Sequence, residues 1–197
     1  MNRVLKAVKL MEEEKAPISG DVLCTLLQEC TKKKDLRNGR RAHALLARCG
    51  LDTVSFYGDH LVRFFAACGH VSDAHKAFYQ ILSPTVYSWN SIFTANAKNG
   101  DGASSLEMYF RMQGESSISP DRITFSCILK CCSMVGDLDV GMMIHGQVLD
   151  SGNMADSAIG NALVNMYAKC GHLKDAGHVF DRLPHRDVIS WGAIIGG

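Results

Sequence analysis

The apolar positions of this chain recur at helical spacing, in short stretches that come in pairs. Leu173, Ala176, Phe180 and Leu183 step by three, four and three residues, which places them on one face of a helix. Val71, Ala74, Phe78 and Ile81 do the same 102 residues earlier. Ahead of each lies a second stripe, Leu163, Val164, Tyr167 and Ala168, matched by Leu61, Val62, Phe65 and Ala66. Cys170-Gly171-His172 separates the two members of the later pair, and Gly171 reads as a helix C-cap. The pattern predicts helical hairpins, each a helix A followed by a helix B.

The same spacing governs the rest of the chain. Gly160, Asp175 and Phe180 repeat Gly58, Asp73 and Phe78, and Val188, Ser190 and Trp191 repeat Val86, Ser88 and Trp89. Asp137, Leu138, Gly141, His145 and Gly152 repeat Asp35, Leu36, Gly39, His43 and Gly50. A period of 102 is too long for one hairpin, so it is a composite of about three units. Cutting at equivalent points predicts hairpins over residues 20–54, 55–85, 86–121, 122–156 and 157–187. Residues 1–19, with Val4, Leu5, Val8 and Met11, read as a preceding helix B, and residues 188–197 begin a further helix A. The prolines, Pro17, Pro84, Pro120 and Pro184, fall just after predicted helices. One hairpin cannot bury its own stripe, but stacked neighbours can. The predicted fold is all-α, an α-solenoid (superhelix) of stacked antiparallel helical hairpins. Starting and ending mid-unit, the chain is expected to be a fragment or to lack polar caps.

Composition narrows the picture. The chain has 197 residues, 47% of them hydrophobic, enough to bury a core. Its net charge of +1 does not advertise nucleic-acid binding, although a solenoid can gather charge on one face. No apolar run reaches membrane-spanning length. The opening MNRVLKAVKLMEEEK is neither a secretory signal nor a convincing transit peptide, because it carries three consecutive glutamates. The cysteines at 24, 30, 49, 68, 127, 131, 132 and 170 are expected as reduced, buried thiols, since Cys68 and Cys170, and Cys30 and Cys132, follow the repeat.

Unit lengths and residue patterns together resemble the pentatricopeptide-repeat (PPR) proteins of the PLS type found in land plants. The carrying motifs are NALVNMYAKCGHLKDAGHVFDRLPHRD (161–187), VYSWNSIFTANAKNG (86–100), ITFSCILKCC (123–132) and VISWGAIIGG (188–197). In the order of that family, 20–54 and 122–156 are long repeats, 55–85 and 157–187 short ones, and 86–121 a standard one. The tetratricopeptide signature is absent.

The resemblance implies single-stranded RNA binding at one base per repeat. A polar residue early in helix A, paired with the last residue of the same repeat, reads the base. The pairs would be Asn90 with Asp121, Ser126 with Asp156, and Asn161 with Asp187. By the family's code these read U, G and U. An amide both donates to and accepts from a pyrimidine edge, while a small hydroxyl leaves room for a purine. Asp59 with Thr85 is a weaker pair, Cys24 with Val54 is not a standard one, and Gly192 occupies the reading position of the partial repeat. Bases would be sandwiched by Phe56, Tyr87, Ile123, Ala158 and Ile189, with Tyr87 mattering more than Ala158 because aromatic stacking is worth about 1–3 kcal/mol per base.

Each of these residues also has a plainer reading. Asn and Asp at hairpin junctions serve as helix caps, and Asp121 and Asp187 stand where they would cap the next helix. Trp89 and Trp191 fit as packing residues, and His43 and His145 as packed histidines. The run Lys32-Lys33-Lys34-Asp35-Leu36-Arg37, with Arg40 and Arg41, reads either as a phosphate-holding patch or as a solvated interhelical turn. Cys127, Cys131 and Cys132 form no Cys-x-x-Cys, so no metal site is expected.

The resemblance further implies a place in organellar C-to-U RNA editing, where a separate C-terminal DYW-type deaminase domain does the chemistry. This chain has neither His-x-Glu nor Cys-x-x-Cys, so it carries no such zinc site and is expected to be no enzyme. No cofactor is expected. The implied partners are an organellar transcript and editing or RNA-processing proteins, with the chain itself a monomer. The implied location is mitochondrion or chloroplast. The alternative function is a helical-repeat scaffold for protein–protein interaction.

Overall fold

The computed structural model of the chain describes residues 19–115 and 118–196. Val4, Leu5, Val8, Met11 and Pro17 of the expected first helix lie outside these residues. Among the described residues there are eleven α-helices, one short 3-10 turn and no strand. The chain divides into two compact units, residues 1–95 and 96–197.

In the first unit, α1 (Gly20–Lys33) and α2 (Leu36–Arg48) form one hairpin, and α3 (Ser55–Ala67) and α4 (Val71–Gln80) the next. The unit boundary falls within α5 (Val86–Lys98). Helix α1 packs on both α2 and α3, so each helix A meets its own helix B and the following helix A. In the second unit α6 (Gly102–Glu115) packs on α7 (Arg122–Val135), and α7 packs on α8 (Leu138–Asp150) and α9 (Ser157–Lys169). Helix α9 packs on α10 (Leu173–Asp181) and α11 (Val188–Ile195). A 3-10 turn, Asn153–Ala155, joins α8 to α9.

The core of each unit is the apolar stripe of its A helices. Leu23, Leu26 and Leu27 on α1 and Leu61, Val62 and Phe64 on α3 are fully buried. Ile128 and Leu129 on α7 and Leu163, Val164 and Met166 on α9 are their counterparts. Each such side chain contributes about 1.5–3 kcal/mol of burial. The B helices face this layer with small residues. A Cβ at Gly39 on α2 would run into the ring of Phe64, and one at Gly141 on α8 into Met166. Gly39 and Gly141 are therefore seats for a large side chain of the following helix A, while Gly58 and Gly160 on the A helices lie against Ile81 and Leu183.

The junctions share one geometry. Gly171 takes φ +79°, with its N–H on Ala168 O and that of His172 on Tyr167 O, at 3.0 and 2.8 Å. Gly69 repeats this arrangement with φ +77°. The counterpart of Gly136 (φ +77°) in the first unit is Lys34, which sits at φ +54° without the freedom of a glycine.

Four sequence expectations change. Leu173 is exposed, because it is the first residue of α10 and precedes the turn that packs. The basic run is no open turn: α1 extends to Lys33 and α2 starts at Leu36, so only Lys34 and Asp35 lie between helices. All eight cysteines are free, and Cys24, Cys30, Cys131 and Cys132 are buried, but Cys49 is exposed as the C-cap residue of α2. Trp89 is buried edge-on against Phe78, whereas Trp191 meets Phe180 in the same way yet keeps half its surface exposed.

Left-handed backbone costs an L-residue about 1 kcal/mol relative to glycine. Gly171→Ala is expected to lower the stability of the second unit by about 1 kcal/mol, and Lys34→Gly to raise that of the first by about 0.5–1 kcal/mol. Urea unfolding of each variant checks both signs.

Candidate nucleic-acid interface

Every A helix from α3 onward begins in the same way. The residue before it lies at the N-cap, the second helical residue points outward, and the fifth lies one turn further along. The outward residues are Phe56, Tyr87, Ile123, Ala158 and Ile189, all exposed. Phe56 is 56% and Tyr87 68% exposed, which is unusual for side chains of that size. The fifth residues are Asp59, Asn90, Ser126, Asn161 and Gly192.

The N-cap residues close the open N–H groups at the helix starts. Asp121 Oδ1 accepts the Thr124 N–H at 2.8 Å, and Asp187 Oδ1 the Ser190 N–H at 2.8 Å. Asp156 Oδ1 accepts from Ala158 and Ile159 N–H at 2.8 and 3.2 Å. Thr85 Oγ1 accepts from Tyr87 and Ser88 N–H at 3.2 and 3.4 Å. Val54, at the same place before α3, has no side-chain cap bond. The plain capping reading is thus realised at Thr85, Asp121, Asp156 and Asp187.

Capping does not exhaust these side chains. Packing of α9 on α11 brings Asn161 to Asp187, and the Asn161 amide donates to both carboxylate oxygens at 3.2 Å each. The carboxylate fixes the orientation of the amide, since only its NH2 end can donate. Asn161 Oδ1 is left buried with no hydrogen-bond partner, in a residue that is only 8% exposed. The equivalent pair in the first unit also closes: Thr85 Oγ1 donates to Asp59 Oδ2 at 2.9 Å. Ser88 Oγ donates to the other oxygen of Asp59.

The remaining pairs differ. Ser126 is half-buried, and no hydrogen bond joins it to Asp156, whose second oxygen faces Arg122 Nη1 at 3.7 Å. Asn90 is buried in the first unit, and Asp121 caps α7 in the second. Cys24 is buried and Val54 exposed.

The histidines pack as expected from sequence. His43 stands edge-on to Phe65, and His145 Nδ1 lies 2.9 Å from the Tyr167 hydroxyl. Burial lowers the pKa of both. Among the described residues no group of three His, Cys, Asp or Glu side chains is placed to hold a metal. Sequence reading overlooked the buried hydroxyls Ser88, Thr124 and Ser190, although Asp-x-x-Thr and Asp-x-x-Ser before an apolar run are legible capping signals.

Residues 74–134 match the pentatricopeptide repeat domain, and residues 161–188 match the PPR repeat. Over these two segments the chain matches pentatricopeptide repeats. Its homologues are PPR-containing plant proteins. A chloroplastic pentatricopeptide repeat-containing protein of Arabidopsis thaliana is 35% identical over 175 residues, 89% of this chain and 28% of the relative. A second chloroplastic one is 33% identical over 194 residues, 98% of this chain and 35% of the relative. The chain thus spans about a third or less of the curated PPR relatives it matches. The crystal structure of PPR10 in complex with an 18-nucleotide psaJ RNA element matches 98% of this chain and 29% of PPR10, with TM-score 0.78 and 19% identity. The structure titled PPR10 from maize matches 98% of this chain and 33% of PPR10, with TM-score 0.61 and 14% identity. At such identities the likeness shows the fold alone: an all-helical one that resembles the helical-repeat solenoid of PPR10.

The cap at Asp187 carries a pH dependence. Hydrogen bonds from the Ser190 N–H, and then from the Asn161 amide, hold its carboxyl below the ordinary range. A folded pKa below the unfolded value of about 3.9 gives stabilisation that is present above that pH and lost as pH falls through the folded value. Protection of the Ser190 amide, its exchange relative to the unstructured rate at the same pH, is therefore expected to fall as pH drops below about 4 and through the folded value. Asp187→Asn, which still caps but does not titrate, is expected to flatten that profile.

Proposed function

We propose that this chain is a sequence-selective module for single-stranded RNA that reads one base per repeat. The observation that carries the reading is the Asn161–Asp187 pair. Its amide is held by the cap carboxylate, and its carbonyl oxygen, buried and without a hydrogen-bond partner within the chain, would take a donor from a base once a small local movement uncovers it. A uracil supplies that donor at N3–H, whereas cytosine presents an acceptor at the same place. An orphaned acceptor therefore favours U over C. The exposed side chains at the second position of each helix A from α3 onward offer apolar walls for the flanking faces of a base. The likeness to PPR10, solved with an RNA element, supports the same reading.

The finer assignments belong to this proposal. The repeats run 20–54, 55–85, 86–121, 122–156 and 157–187, in long, short and standard variants of the PLS type. Asn90 with Asp121 and Asn161 with Asp187 read U, and Ser126 with Asp156 reads G. The second of these purine and pyrimidine assignments rests on the family's code alone, because Ser126 and Asp156 do not bond to one another. The whole protein would act on organellar transcripts, in keeping with the chloroplastic relatives. In C-to-U editing this chain would supply the address, and the chemistry would come from another domain or partner.

Selection of bound sequences from a random single-stranded RNA pool tests the reading. Enrichment of U-x-U is expected. Asn90→Ala is expected to abolish the preference at the first U and Asn161→Ala at the second, each leaving the other intact. No enrichment by the folded chain would overturn the proposal.

A further inference from the structure

Behind the caps at Thr85, Asp121 and Asp187 stands a buried hydroxyl from the third residue of the following helix. The Thr85 N–H donates to Ser88 Oγ at 2.8 Å, the Asp121 N–H to Thr124 Oγ1 at 3.2 Å, and the Asp187 N–H to Ser190 Oγ at 2.8 Å. All three hydroxyl residues are fully buried. They hold more than the backbone. Thr124 Oγ1 also donates to Asp121 Oδ1 at 3.0 Å, and Ser88 Oγ reaches Asp59 itself. Ser190 Oγ donates in turn to Asp187 O at 2.8 Å, so the residue is gripped at both backbone groups.

Among the A helices from α3 onward, two starts have no Ser or Thr at this position. The third residue of α3 is Tyr57 and that of α9 is Ile159. There the preceding residues behave differently. Val54 has no polar side chain to pair or cap with, and Asp156 caps α9 through Oδ1 while its other oxygen faces Arg122 and no hydrogen bond joins it to Ser126. Where the hydroxyl is present and both partners share a unit, the pair is closed: Asp59 with Thr85, and Asn161 with Asp187.

We infer that Ser88, Thr124 and Ser190 are positioning residues for base selection, each setting the pair that ends the repeat before it. The inference rests on the RNA reading proposed above. Base choice at one repeat is then encoded by three side chains, the third of which belongs to the next repeat. Thr and Ser are interchangeable in this role, because each presents a hydroxyl at the same carbon. A valine matches threonine in shape and lacks the hydrogen bond.

The test compares Ser190→Thr with Ser190→Val in the 197-residue chain, using the same random RNA pool. Ser190→Thr is expected to keep the U-over-C preference at the nucleotide aligned with residues 157–187. Ser190→Val is expected to reduce it by about threefold to tenfold, the worth of one lost hydrogen bond. Preference at the nucleotide aligned with 86–121 is expected to stay unchanged in both, which a general loss of folding would not allow. Equal preference in wild type and Ser190→Val overturns the inference, as does an equal loss in the Thr and Val variants. Absence of U selection by the wild-type chain itself overturns the RNA reading on which the inference stands.

Discussion

The hydrogen bonds at the start of each helix A are the constraint on which the interface depends. A helix leaves its first N–H groups open, and the residue at the N-cap must close them. In this chain that residue is also the last of a hairpin. Asp187 closes α11 and, with the same carboxylate, holds the amide of Asn161 on α9. Thr85 serves the start of α5 and holds Asp59 on α3. In the proposed reading, capping and base-reading are therefore one arrangement. Rigidity required by the fold becomes the preorganisation that recognition needs.

The stacking of A helices makes this arrangement possible. The glycines at 39 and 141 let Phe64 and Met166 approach the preceding helix B closely. The left-handed residues at each junction return the chain at a fixed angle. With those two features in place, Asp59 of α3 lies beside Thr85 and Asn161 of α9 beside Asp187. The side chains left exposed at the second position are then free to meet a ligand, because the stack has no use for them.

Much of this was legible in the sequence, and the parts that were not share a cause. Helical pairing showed itself through local periodicity, and Gly171 as a junction through the need for positive φ, which depends only on the residue. Lys34 hid an equivalent junction, because nothing local announces a lysine in that conformation. Leu173 followed the stripe by spacing yet lies ahead of the turn that packs. The pairs were proposed by position, but closure of Asn161 on Asp187, and of Asp59 on Thr85, requires two A helices to meet, which periodicity cannot reveal. The hydroxyls of Ser88, Thr124 and Ser190 carried a local capping signal whose further consequence appears only in three dimensions. Ser126 and Asp156 show the limit from the other side: matching positions are necessary for a pair and do not guarantee one.

The central claim is that Asn161 and Asp187 act as one unit towards a base. A double-mutant cycle of Asn161→Ala and Asp187→Ala, measured as binding to single-stranded oligonucleotides carrying U or C at the matching position, tests it directly. Removing either partner should forfeit the same U-over-C discrimination, so that the double variant loses no more than the single ones and the coupling reaches about 1 kcal/mol or more. Losses that simply add would mean that the two side chains act independently, and would contradict the account.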